Sequence, residues 1–109
     1  MPNLGKPHVG DVRTLFQLFI ENTNTSDVNV IVDLATTTLQ EIIISDPDDN
    51  EDAFTAAITN PPGTDGLIEY LNTDATFLDE AGMWKFRARL TFTDGGIFES
   101  NDITFEVLG

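Results

Sequence analysis

The sequence predicts an all-β chain folded as one antiparallel β-sandwich of about seven strands. Three observations carry this. Apolar residues recur with period two in several short runs, the mark of a strand with one buried face. Clusters of Gly, Pro, Asn and Asp separate those runs. Eight Phe, one Trp and one Tyr supply bulky core material within 109 residues, the size of one ordinary domain.

The first eleven residues carry Pro2, Gly5, Pro7 and Gly10, which resist regular structure. Residues 1–11 therefore read as an extended arm and residues 12–109 as the sandwich. Val12, Thr14, Phe16, Leu18 and Ile20 share one face of a first strand. Residues 28–33 allow a short extra strand. Leu39 to Ile44 is a β-branched run, ended by Asp46-Pro47-Asp48-Asp49-Asn50. Phe54, Ala56 and Ile58 alternate with Thr55, Ala57 and Thr59. Pro61-Pro62-Gly63-Thr64-Asp65-Gly66 breaks the chain again, before a strand from Leu67 to Leu71. Residues 74–81 could hold one helical turn. Trp84, Phe86, Ala88, Leu90 and Phe92 then alternate with Lys85, Arg87, Arg89 and Thr91, the clearest strand in the chain. Thr93-Asp94-Gly95-Gly96 signals a hairpin. Ile103, Phe105 and Val107 alternate in the last strand.

Two local patterns carry resemblances. Glu80-Ala81-Gly82-Met83-Trp84-Lys85-Phe86 resembles the immunoglobulin-type corner, an acid, a glycine and an aromatic ahead of a core residue. Trp84 stands where that pattern has Tyr, and Phe86 where it has Cys. This makes the expected sandwich immunoglobulin-like, with an aromatic contact replacing the inter-sheet disulfide. The second pattern runs through His8-Val9-Gly10-Asp11-Val12, then Val32 to Thr37, Gly63 to Tyr70 and Ala81 to Lys85. Its order and spacing are similar to the N-terminal domain of phage baseplate upper proteins, which attach receptor-binding fibres. That resemblance implies a virion structural part, and no catalytic residues come with it.

Composition narrows the chemistry. The absence of Cys excludes disulfides and thiolate metal sites. Residues 1–6 contain no apolar core of a secretory signal, so none is expected. No apolar run approaches the length of a membrane span. With 19 acidic against 5 basic residues, net -14, the chain is a poor ligand for nucleic acid. The single His8 lies in no catalytic context, and Gly63-Thr64-Asp65-Gly66 lacks the Lys of a phosphate loop. The chain is therefore read as a non-enzyme without a cofactor. Asn24-Thr25-Ser26 matches the glycosylation sequon, a common chance match that means nothing without a secretory route.

One metal reading stands out. Asp46, Asp48, Asn50 and Asp52 concentrate hard oxygen donors, the ligands Ca²⁺ prefers. Their alternate spacing resembles an EF-hand loop, but Glu51 takes the glycine position and Ala57 the place of the bidentate Glu. The competing reading is a solvated acidic turn. A sugar platform would need exposed aromatics, whereas Trp84 and Tyr70 are in phase with core residues.

Surface patterning suggests partners. Leu15, Phe19, Ile43 and Leu71 are out of phase with the core, as if covered by a neighbour or displaced by a bulge. Lys85, Arg87 and Arg89 line one strand face, either pairing with acids such as Glu99 and Glu106 or facing an acidic subunit. Together with the phage resemblance, these features suggest a virion protein of the tail, baseplate or fibre-attachment region. It would assemble with other virion proteins as a homo- or hetero-oligomer. A capsid decoration protein is the first alternative, and a Ca²⁺- or glycan-binding module the second.

Overall fold

The computed structural model describes residues 6–23 and 29–109. The sequon and residues 1–5 of the expected arm lie outside them. Ten strands form among the described residues: β1 (Leu15–Phe19), β2 (Glu21–Thr23), β3 (Asn29–Ile31), β4 (Thr37–Ser45), β5 (Glu51–Thr55), β6 (Ala57–Ile58), β7 (Leu67–Leu71), β8 (Gly82–Phe92), β9 (Ile97–Glu99) and β10 (Ile103–Val107). A 3₁₀ turn, η1 (Leu34–Thr36), precedes β4. It is capped by Asp33, whose side chain accepts from the Ala35 N–H at 2.9 Å.

Two antiparallel sheets form an immunoglobulin-like sandwich. One has the order β1-β7-β6; the other has the order β10-β8-β4-β5, with β9 also on β8. β2 and β3 make a separate two-stranded ribbon. Phe16, Leu18 and Ile20 face Ile42, Ile44, Trp84, Phe86, Ala88 and Leu90 in one core. The Phe16 ring meets Phe86 and Phe105 edge-on, each with centroids 5.3 Å apart. Such geometry sets the electropositive ring edge against an electronegative face. In β8 buried and more open positions alternate from Trp84 to Leu90 as the sequence pattern predicts, while Phe92 is only partly buried.

Elsewhere tertiary structure redrew the elements. The first strand does not extend in phase to Val12, which is 48% exposed. Arg13 has a φ of 67°, and its N–H donates to the Asn72 carbonyl, while the Asn72 N–H donates to the Thr14 carbonyl. Two residues thus oppose one, and this bulge shifts the phase. The run from Phe54 to Ile58 is divided between the sheets: β5 pairs β4, whereas β6 pairs β7. The change occurs at Ala56, small enough to pass between the layers, whose N–H donates to the Gln40 carbonyl at 2.8 Å. Residues 74–81 form turns without a helix. Of the expected arm, residues 7–10 lie against the domain. The Leu108 N–H donates to the Pro7 carbonyl, Val9 N–H to Leu108, and Gly10 N–H to Leu78.

Candidate metal centre

The site forms where the β4–β5 turn meets the loop that leads into β8. In the turn, the Asp46 carboxylate accepts from the backbone N–H of Asp48 and of Asn50, both at 2.9 Å, and from the Asn50 side-chain amide at 3.0 Å. These donors, the Asn50 side chain foremost, hold the Asp46 carboxyl below its ordinary range. Asp49 takes the left-handed conformation, φ 65°, that closes the turn. Asp is among the residues that tolerate this region.

The facing loop is shaped by one buried amide and by the corner tryptophan. Asn72 is fully buried and its side-chain oxygen accepts from the Asp74 N–H at 3.1 Å. Asp74 in turn accepts from the Thr76 N–H and hydroxyl. Trp84, 2% exposed, donates its indole N–H to the Glu80 carbonyl at 2.9 Å. That bond fixes the backbone of Glu80 over the β4–β5 turn.

One carboxylate oxygen each from Asp46, Asp48 and Glu80 lies within 4.8 Å of the other two. Among the described residues this is the one group of three such ligands. Glu80 is half-buried, and its pKa is raised by burial, then by its hydrogen bond to Asp48 and by the charges of Asp48, Asp46 and Asp79. The clustered carboxylates therefore repel one another. Beside it opens a cleft of about 270 Å³ lined by Asp46, Asn50, Asp52, Asp74 and Asp79, with Trp84 in its wall.

Of the residues expected to hold Ca²⁺, Asp46 and Asp48 come together. Asn50 is engaged as a donor to Asp46, and Asp52 lines the cleft from β5 without joining the cluster. The loop is a β-hairpin turn with no flanking helices, so the EF-hand geometry is not realised. Glu80 was not among the expected ligands, being far away in sequence. Its only signal was its place as the acid of the corner motif.

The other candidates resolve differently. Ile43 is 3% exposed and needs no outside partner. Its cross-strand neighbours are Ala53 and Arg87, and an arginine stem can cover apolar surface while its head reaches out. Arg87 bonds Glu51 and Glu99, each at 2.8 Å; Arg89 bonds Glu41 at 3.0 Å; Lys85 lies 3.4 Å from Asp49. The basic stripe is thus matched by the chain's own acids. Glu106 pairs with Lys6 instead. Leu15 and Phe19 stay about half-exposed, and Leu71 is partly covered. Tyr70 stacks on Phe54 with centroids 4.5 Å apart, so neither it nor Trp84 offers a sugar platform. Among the described residues His8 makes its hydrogen bonds through its backbone, and no nucleophile–base pair is assembled around it.

No family model matches the chain, and no curated protein matches it. The fold is similar to the crystal structure of CopC from Methylosinus trichosporium OB3b, with a TM-score of 0.52 and 16% sequence identity. The alignment covers 94% of this chain and 83% of that one. The expectation of a tailed-phage virion protein, with its baseplate or capsid role and virion location, is corrected by this result. The matching fold belongs to a bacterial CopC, and nothing in sequence supports a phage relative. The stretches behind that expectation have a local cause. Gly63 and Gly66 have φ of 94° and 73°, and Gly82 and Trp84 build the corner. Such residues are demanded by turns of a sandwich and identify no source.

Proposed function

We propose that this chain is a non-enzymatic binding domain for a hard divalent cation, Ca²⁺ foremost. The carrying observation is the convergence of Asp46, Asp48 and Glu80 from two separate loops within 4.8 Å. Carboxylate oxygens suit Ca²⁺, whose flexible coordination accepts irregular oxygen sets; Mg²⁺ demands a tighter octahedron. Softer metals favour imidazole and sulfur. This chain has one His and no Cys. The likeness to CopC supports the sandwich as the scaffold, and the ligands are argued from this chain's own residues.

A cation would reverse the electrostatics that raise the Glu80 pKa. Without it, the folded chain holds the Glu80 proton more tightly than the unfolded chain. Stability of the Ca²⁺-free form therefore falls as pH rises from the ordinary 4.5 through the raised folded value. Bound Ca²⁺ favours the ionised carboxylates and should remove that slope.

Isothermal titration and thermal melting test the reading. One Ca²⁺ per chain is expected. At free Ca²⁺ about a hundredfold above the dissociation constant, the fold gains about 2.7 kcal/mol. For a domain near this size that is a melting shift of about 10 °C. Asp48→Asn and Glu80→Gln should each weaken binding about tenfold or more. Absence of both heat and melting shift in the wild-type chain would reject the site.

A further inference from the structure

We infer that two copies of this chain pair through the free edge of β1, antiparallel about a two-fold axis at Gln17. β1 is an edge strand with β7 as its neighbour on one side only. The Asn72 N–H donates to Thr14 O, and the Ile20 N–H to Gly66 O. With the intervening register, this turns the backbone groups of Phe16 and Leu18 toward β7. The N–H and C=O groups of Leu15, Gln17 and Phe19 point the other way. Among the described residues, no strand pairs with that side.

Among the described residues, the other edge strands are short or carry charge. β5 begins with Glu51 and Asp52, and β6 has two residues. The end of β10 is followed by Leu108, which bonds the Pro7–Val9 segment. By contrast β1, Leu-Phe-Gln-Leu-Phe, carries neither charge nor proline, the usual devices against edge pairing. Of its three outward side chains, Leu15 and Phe19 are apolar, 48% and 49% exposed, and Gln17 between them is uncharged.

A second copy fits this edge better than an arbitrary strand. Pairing about Gln17 overlaps all five residues and sets Leu15 against the partner's Phe19, and Phe19 against the partner's Leu15. The same register brings Arg13 to the end where the partner's Glu21 lies, twice by symmetry. Both residues are exposed, and neither makes an ion pair among the described residues. The other four cations all do. In a chain of net charge -14, pairing this uncharged strand with its own copy sets no like charges directly opposite one another. The two three-stranded sheets would become one continuous sheet, an isologous contact.

Sedimentation across a concentration series, with amide exchange, tests this. A species of twice the 12.0 kDa chain is expected. The Leu15, Gln17 and Phe19 amides should slow in exchange as it forms. Gln17→Lys sets like charges across the axis and should weaken the dimer about tenfold, with the monomer's melting unchanged. Arg13→Glu should weaken it as well, and adding Glu21→Arg should restore it. A chain monomeric into the millimolar range overturns the pairing and leaves the edge to another strand. A dimer whose three amides exchange freely overturns it too, as does a charge swap that fails to restore association.

Discussion

Replacing Trp84 with Phe tests how the sandwich core and the candidate metal centre are joined. Trp84 is 2% exposed and spans from the core to the Glu80 carbonyl. Phe keeps an aromatic ring against Phe77 and Phe105, the present neighbours of the indole. It removes the indole N–H and about 40 Å³ of side chain, which at about 24 cal/mol per Å³ costs about 1 kcal/mol. The lost hydrogen bond costs about 1 kcal/mol more. A loss near 2 kcal/mol lowers the melting temperature by about 8 °C in a domain near this size. Because the same bond anchors Glu80, Ca²⁺ affinity should fall as well, by about tenfold. The control is Ile68→Val, a fully buried position in β7, expected to cost about 1 kcal/mol with no change in affinity. Denaturant unfolding supplies the stabilities and calorimetry the affinities. Unchanged Ca²⁺ affinity in Trp84→Phe, or an equal loss in Ile68→Val, would refute the anchoring role.

Two further outcomes concern the scaffold. Arg87 holds the Glu51 carboxyl below its ordinary value of 4.5, so the pair contributes stability above that pH and loses it as pH falls through the folded value. Arg87→Met should flatten this acid-side slope in melting curves taken from neutral pH down to about pH 3. Gly63→Ala should destabilise the fold by about 2 kcal/mol or more, measured by denaturant unfolding. Its φ is +94°, and an added Cβ would lie 2.6 Å from the Leu34 Cβ and 2.9 Å from the Ile58 Cγ2.

The sandwich was legible because its causes are local. Period-two burial in Trp84–Phe92, the Thr93–Gly96 turn and the acidic Pro47 turn act within a few residues. The bulge at Arg13 and the division between β5 and β6 were not legible, since both depend on which strand lies alongside. The resemblance to phage proteins failed for a related reason: the glycines and aromatic corner on which it leaned answer to turn geometry.

By itself, the sequence determined the strand periodicity, the turns, the absence of thiolate chemistry and the acidic donors at Asp46 and Asp48. Only the tertiary structure decided that Glu80 joins them, carried across by the Trp84 indole to the far side of the β4–β5 turn. It alone hid Ile43, matched the basic stripe of β8 with acids of neighbouring strands, and left one side of β1 without a pairing strand among the described residues. The physical reason is range. Backbone preference and side-chain alternation are set by near neighbours along the chain, whereas ligand clusters and free edges are set by which distant segments the core draws together.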